Sequence, residues 1–221
     1  RQCPKRLWLE VHQPEARQDS GATLASFAAG HQVGDIARQI YDPQQRGHLI
    51  DPQVEGFDAV FARTQALLQS RQPIFEAGFS IPGAMALADV LLPIGRGSKA
   101  AWRMVEVKSS TAVKPYHVED SAIQFYIATQ TGLKLDAIAV ATVDTTFVYP
   151  GQQRYAGLLK EQDITPSVAS LQGEVAQWIA QAQKTVAKRQ EPKAGTGAHC
   201  NAPFACGFLA YCQSQEQLDE P

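Results

Sequence analysis

No apolar run in this sequence approaches the roughly 20 residues that a helix needs to cross a bilayer. Nor do a basic flank, an apolar segment and a small-residue cleavage site come together near its start. A membrane partner is therefore not expected, and the chain reads as cytoplasmic. A strong charge of either sign is missing too: 20 Lys and Arg stand against 22 Asp and Glu, a formal net charge of -2. With a pI of about 6.2, wholesale coating of nucleic acid is excluded, because that takes a basic chain or face. Internal repeats are absent, and so are close C-x-x-C pairs, which weakens a zinc-ribbon reading. What is present is 221 residues with 44% hydrophobic content, enough to bury a core. A single domain over 1–221 is expected. Arg1 in first place and the polar end "QSQEQLDEP" read as the limits of a region trimmed from a longer polypeptide.

The first 70 residues read as helical. "GATLASFAAGHQVGDIARQIY", 21–41, has helical spacing with Val33, Ile36, Ala37 and Ile40 on one face, and "PQVEGFDAVFARTQALLQ", 52–69, opens with proline at a first turn. Strands are expected next: "PIFEAGFSIPG", the nearly continuous apolar "AMALADVLLPIG", and "AAWRMVEVKSS" after the turn "GRGSK". A helix over 116–132, a strand "LDAIAVATVD" and an edge strand "TTFVYPG" complete the pattern, and a long helix over 166–188 leads to a cysteine-rich end. The expected class is α/β, a central mixed sheet flanked by helices with core order β-β-β-α-β over 71–150, and a C-terminal region over 165–212.

Two charges interrupt the third strand. Residues two apart share a strand face, so Glu106 and Lys108 project together while Val105 and Val107 lie on the other side. Asp89 sits among Leu87, Val90, Leu91 and Leu92, where an uncompensated carboxylate costs several kcal/mol. A lysine paired with one carboxylate is an ordinary structural ion pair, but that leaves the second carboxylate unexplained. Two acids and a lysine converging from adjacent strands suit a divalent cation. The surroundings are basic, with Arg96, Lys99, Arg103, Lys108 and Lys114 against Glu106 alone between 96 and 114.

The arrangement of Asp89, sixteen intervening residues and then Glu106-Val107-Lys108 resembles the PD-(D/E)XK nuclease superfamily, with its restriction-endonuclease-like core. Further residues make it similar to the RecB-like branch, which includes CRISPR-associated exonucleases and iron-sulfur nucleases. The resemblance implies that Asp89, Glu106 and the carbonyl of Val107 bind Mg²⁺ or Mn²⁺, that His31 completes the metal shell, and that Lys108 is the catalytic lysine. His31 lies opposite the Val33, Ile36 and Ile40 face at about 100° per residue. Gln124, in "SAIQFYIA", would position the substrate strand. The family's tyrosine four residues beyond the glutamine is replaced by Ala128, which leaves Tyr126 on a different helical face as the neighbouring substrate-binding candidate. Glu76, in "IFEAGF", is a further acid within reach of the same site.

Cys3 lies near the start, and Cys200, Cys206 and Cys212 lie near the end with five residues between each successive pair. Four thiolates satisfy tetrahedral zinc as well as a [4Fe-4S] cube, and the spacing alone does not choose. One cysteine before the core and three after it resembles the iron-sulfur RecB-like nucleases, which implies a [4Fe-4S] cluster held by all four, with His199 an ordinary loop residue.

The expected function is metal-dependent hydrolysis of phosphodiester bonds, as an exonuclease acting on single-stranded DNA or DNA ends. Tyr116 and the basic loop from Arg96 to Arg103 would offer stacking and phosphate attraction along a single strand. Partners would be DNA, a homo-oligomer or other DNA-processing proteins. Two alternatives stand beside it: a catalytically silent DNA-binding or scaffold module with a structural iron-sulfur or zinc site, and a metal-stabilised protein-binding module with the charged trio as a salt-bridge network.

Overall fold

The structure is a computed structural model, in which residues 2–219 are described. In chain order its elements are α1 (Pro4–His12), α2 (Gly21–Tyr41), β1 (His48–Leu49), α3 (Pro52–Glu55), α4 (Phe57–Leu67), β2 (Ile74–Ile81), β3 (Ala84–Ile94), β4 (Ala101–Lys108), α5 (Pro115–Gln130), β5 (Leu135–Val143), β6 (Leu159–Asp163), α6 (Thr165–Val186) and α7 (Leu209–Asp219). The chain, read from sequence as one domain over 1–221, divides into two compact units. One comprises 1–28 with 176–221, and the other 29–175. The divisions fall inside α2 and α6. No helix among the described residues is long and apolar enough to cross a membrane.

The 29–175 unit is an α/β layer structure around a six-stranded mixed sheet in the order β1-β2-β3-β4-β5-β6. β2, β3 and β4 form an antiparallel meander, α5 crosses over, and β5 returns parallel to β4. The crossover has a physical cause: a parallel return cannot be made by a tight turn and takes a helix-length connection. On one sheet face Phe75, Val90, Val105 and Ala141 form a buried cluster, with Tyr41, Leu92, Val107 and Leu159 packed against it. α5 lies against β2, β3 and β5 and buries His117, Ser121, Ala122, Gln124, Ile127 and Ala128. Each fully buried Val, Leu, Ile or Phe contributes about 1.5–3 kcal/mol.

Several elements differ from the sequence expectation. The helix expected over 52–69 is broken by Gly56, whose φ of +77° is outside helical space, so α3 and α4 are separate. Asp51 caps α3 by accepting the backbone N–H groups of Gln53 and Val54. "TTFVYPG" is not an edge strand. Asp144 accepts both the N–H and the hydroxyl of Thr146 at 2.8 Å, which turns the chain there. The edge strand is instead β6, "LKEQD", antiparallel to β5. Its mostly exposed polar residues carry no apolar alternation to read. β1 pairs only two residues with β2. On α2 Ala37 alone is fully buried, while Val33, Ile36 and Ile40 are half-buried.

α4 approaches β2 closely at Gly78, whose N–H donates to the Thr64 hydroxyl at 2.9 Å. A Cβ built there would sit 2.4 Å from Val60 Cγ1. Gly78→Ala is expected to destabilise the protein by about 1–3 kcal/mol through overpacking, measured by urea unfolding. An unchanged midpoint would contradict this packing.

The unit of 1–28 with 176–221 is held by α1, whose Trp8 and Leu9 pack with Phe208 and Cys212. Trp8 Nε1 donates to the Lys188 carbonyl at 2.9 Å, and Gln2 Nε2 donates to the carbonyls of His199 and Phe204. Lys5 is buried and paired with Glu191 at 2.6 Å, and the Tyr211 hydroxyl donates to the same carboxylate. A buried ammonium is tolerated because it is paired and hydrogen-bonded.

Candidate functional site

The register of the meander assembles the acids. Phe75 pairs with Val90 and Ala77 with Ala88, so Glu76 and Asp89 stand opposite each other between those pairs. On the other side Val90 pairs with Val105, and Asp89 and Glu106 occupy the next positions along. Three carboxylates thus form a row across three neighbouring strands, at positions about 5 Å apart. Past Val90 the β3–β4 ladder ends. There the Val107 N–H, no longer donating to a strand carbonyl, donates to Asp89 Oδ2 at 2.7 Å. Glu76 has φ of +58°, an uncommon conformation for a residue with a Cβ.

Lys108 closes the row. Its Nζ lies 2.6 Å from Glu106 Oε1 and 3.2 Å from Asp120 Oδ2. Alternation along β4 therefore operates as read, with Glu106 and Lys108 on one face and Val105 and Val107 on the apolar one. Glu106 is only 3% exposed, and its second oxygen, Oε2, is buried without a hydrogen-bond partner among the described residues. Ser121 Oγ and Gln124 Oε1 share that condition.

An open cleft of about 820 Å³ gathers His31, Arg38, Asp51, Glu76, Asp89, Glu106, Val107 and Lys108 along its lining. His31 is exposed on α2, away from the buried Ala37. Gln124, Tyr116 and Tyr126, all on α5, are not among the lining residues. Gln124 is buried, the two tyrosines are half-buried, and the Lys114 ammonium lies 5.7 Å from the Tyr116 ring centre. The basic loop is displaced from the site. Arg96 and Lys99 lie at the far end of the β3–β4 hairpin, the length of β4 away from Lys108, roughly 25 Å at about 3.3 Å per residue. Arg103 faces the other side of the sheet and is paired with Glu161. A path along that loop does not reach the carboxylates, because hairpin geometry puts the turn and the site at opposite ends. Asp120, Arg38 and Asp51 were not picked out from sequence. Only Asp120 carried a signal, standing four residues before Gln124 on the same helix.

Burial raises the Glu106 carboxyl well above the ordinary carboxylate range, and Asp89 beside it raises it further, with Lys108 opposing. Burial raises Asp89 as well, against the pull of Lys108 and the Val107 N–H. Glu76 is raised by burial and by Glu106. Burial opposes the charge on Lys108, but Glu106 and Asp120 outweigh it and hold the ammonium above its ordinary value. His117, at the start of α5, is pushed down to about 4 by burial and by Lys108 and Lys114, and its Nδ1 accepts the Lys114 N–H.

These shifts have a sign. Asp89 and Glu106 hold protons more tightly folded than unfolded, so their contribution to stability is full below their ordinary values of 3.8 and 4.5. It is lost as pH rises through the elevated folded values. In chelator, Tm is expected to fall between about pH 5 and about pH 8. A divalent cation held by these carboxylates would raise Tm more at the higher pH, where their protons are shed. An equal Mn²⁺ effect at both pH values would contradict a carboxylate-held ion.

In the other unit, Cys3, Cys200, Cys206 and Cys212 all line one small cavity, together with His199, Lys5 and Phe208. None is in a disulfide. Burial raises the Cys212 thiol, Cys206 and Cys200 add to this, and Lys5 opposes it. Among the described residues, no group of three or more His, Cys, Asp or Glu is arranged to hold a metal ion.

No family model matches the chain, and no curated protein matches it. Among solved structures the chain is similar to the one described as "Crystal structure of SSO0001", at 13% identity and a TM-score of 0.33, over 80% of this chain and 71% of that one.

Proposed function

We propose that this chain is a metal-dependent deoxyribonuclease of the PD-(D/E)XK kind, similar to the RecB-like branch, that hydrolyses phosphodiester bonds as an exonuclease on single-stranded DNA or DNA ends. The observation that carries this is Glu106 Oε2, a buried carboxylate oxygen without a donor among the described residues, on a cleft that Asp89 and Lys108 also line. A desolvated oxygen of this kind is costly unless something positive meets it. The donors present suit a hard divalent ion, so His31, Asp89, Glu106 and the Val107 carbonyl would hold Mg²⁺ or Mn²⁺. Bound there, the ion supplies Lewis-acid polarisation of the phosphate and a lower pKa for water.

The chain's own groups do the rest. Lys108 stays protonated at neutral pH, since Glu106 and Asp120 favour its charge, so it donates to developing negative charge and is not the base. Asp89 and the Val107 N–H lock the β3–β4 edge in place. Gln124 would steady the strand from α5, with Tyr126 and Tyr116 offering ring faces to bases. In the other unit, four thiols around one cavity suit a soft-metal group, and Cys3, Cys200, Cys206 and Cys212 would hold a [4Fe-4S] cluster of structural role.

One observation favours a second reading, a catalytically silent DNA-binding or scaffold module with a structural iron-sulfur or zinc site. Lys108 already occupies Glu106 Oε1, as a salt-bridge network would. Labelled single- and double-stranded DNA incubated with Mn²⁺, Mg²⁺ or chelator separates the two. Metal-dependent shortening from ends is expected, and intact DNA in every tube would leave the silent module standing.

A further inference from the structure

With the basic loop at the other end of the β3–β4 hairpin, a strand entering the acid cleft meets different groups. The sheet gives that cleft its acids and Lys108, α2 gives Asp35 and Arg38, and α3 with the start of α4 gives Pro52 and Phe57. Phe57 is 44% exposed, and among the described residues it is the aromatic ring on this lining, which Tyr116 and Tyr126 do not reach. Gly56, with φ of +77°, ends α3 and sets Phe57 as the first residue of α4. Phe61, one turn on, lies nearly parallel to it, with ring centres 6.4 Å apart and planes at 27°. Phe61 in turn lies against Gly78 of β2, where a Cβ would come within 3.1 Å of it. The Phe57 ring is thus backed by a neighbour fixed to the sheet, and it still faces the cleft.

Arg38 offers the complementary chemistry. Apart from Lys108 it is the permanent cation of the lining among the described residues. Its pairing with Asp35 at 2.8 Å is an i, i+3 contact in which the carboxylate side chain is 62% exposed, weak in water and readily exchanged for a phosphate. The same two residues line a second open cleft of about 720 Å³, with Gln39, Gln45 and Gln153, so the two clefts meet at the guanidinium. Resting on the DNA-cleft reading above, we propose that Phe57 and Arg38 are the groups by which this cleft selects single-stranded DNA, Phe57 stacking on an unpaired base and Arg38 taking a backbone phosphate where the strand runs on into the second cleft. An aromatic face stacks only on a base freed from its own helix, whereas a guanidinium takes the phosphate of either form. Phe57 therefore supplies discrimination and Arg38 affinity. The carboxylates on the sheet repel phosphates until a cation covers them, which leaves the grip on the strand to groups beside them.

The test is anisotropy of labelled oligothymidine, alone or paired with oligodeoxyadenosine, binding to the full chain in Ca²⁺, with single-turnover cleavage in Mn²⁺ measured beside it. The unaltered protein should bind the single strand about tenfold more tightly than the duplex. Phe57→Ala should lose about 5–100-fold on the single strand, the cost of one base stack, and little on the duplex, and Phe57→Tyr should recover the loss. A strand of the same length without bases should be bound equally by the unaltered protein and Phe57→Ala. Arg38→Ala should weaken binding to both forms and make the slope of log affinity against log salt shallower by about 0.7 on the single strand. Single-strand affinity unmoved by Phe57→Ala, a loss that Phe57→Tyr does not restore, or a salt slope unmoved by Arg38→Ala would overturn the proposal whatever the cleavage result. Binding that follows these expectations while DNA stays intact in Mn²⁺ would support the strand site and overturn the nuclease reading instead.

Discussion

Replacing Lys108 with alanine is expected to lower the rate of DNA cleavage by about 10²–10³-fold, the usual cost of removing one positioned donor to developing charge, while Mn²⁺ binding holds or tightens. The two effects diverge because the ammonium has two tasks in the structure. It is a cation facing the cleft, and it also occupies Glu106 Oε1 at 2.6 Å. On the proposed function, removing it would take away stabilisation of charge on the phosphate but free a carboxylate oxygen for the ion. Single-turnover cleavage at saturating Mn²⁺ measures the first effect, and titration calorimetry the second. Lys108→Arg keeps the charge without the compact ammonium and should recover only part of the rate. Cleavage by Lys108→Ala at the unaltered rate would remove this residue from the chemistry and sink the nuclease assignment as argued.

Cys212→Ser is expected to abolish iron binding and to lower Tm by about 10 °C, which in a chain of this length corresponds to about 3–5 kcal/mol. The substitution nearly preserves size but sets a hydroxyl among Trp8, Leu9 and Phe208, which accounts for about 1–3 kcal/mol of this. What would disappear, on the proposed reading, is one of the four thiols through which a cluster would join residue 3 to residues 200–212. A bound soft-metal group contributes its binding energy directly to folding, and closing so long a loop restricts the unfolded chain. Absorbance near 400 nm, the approximate mark of thiolate-bound iron, should be present in anaerobically prepared protein and absent in the variant. A colourless, zinc-loaded preparation would replace the cluster with zinc. A preparation without metal whose Tm is unmoved by Cys212→Ser would remove the site.

Much of the frame was legible in the residues. The bounds of α2, β3 and β5 follow from apolar spacing, with Pro43 and Gly95 closing the first two runs. β6 and β1 were not legible, because a polar edge strand and a two-residue pairing are created by the neighbouring strand and leave no pattern of their own. Gly56 sits within a helical pattern, and only its left-handed φ splits that pattern in two. The site divides in the same way. Alternation on β4 is a local property, so Glu106 and Lys108 could be placed on one face from the sequence. Asp89 stood out because a carboxylate among leucines requires an explanation.

Chemistry and local geometry, then, were determined by the sequence itself: which side chains carry charge and which strand face they share. Only the tertiary structure decided who meets whom. Strand register placed Glu76 opposite Asp89, the crossover helix brought Asp120 to Lys108, and the hairpin carried the basic loop away from the acids. Each of these depends on pairing between residues distant in the chain, and such pairing is chosen by the burial of whole faces at once.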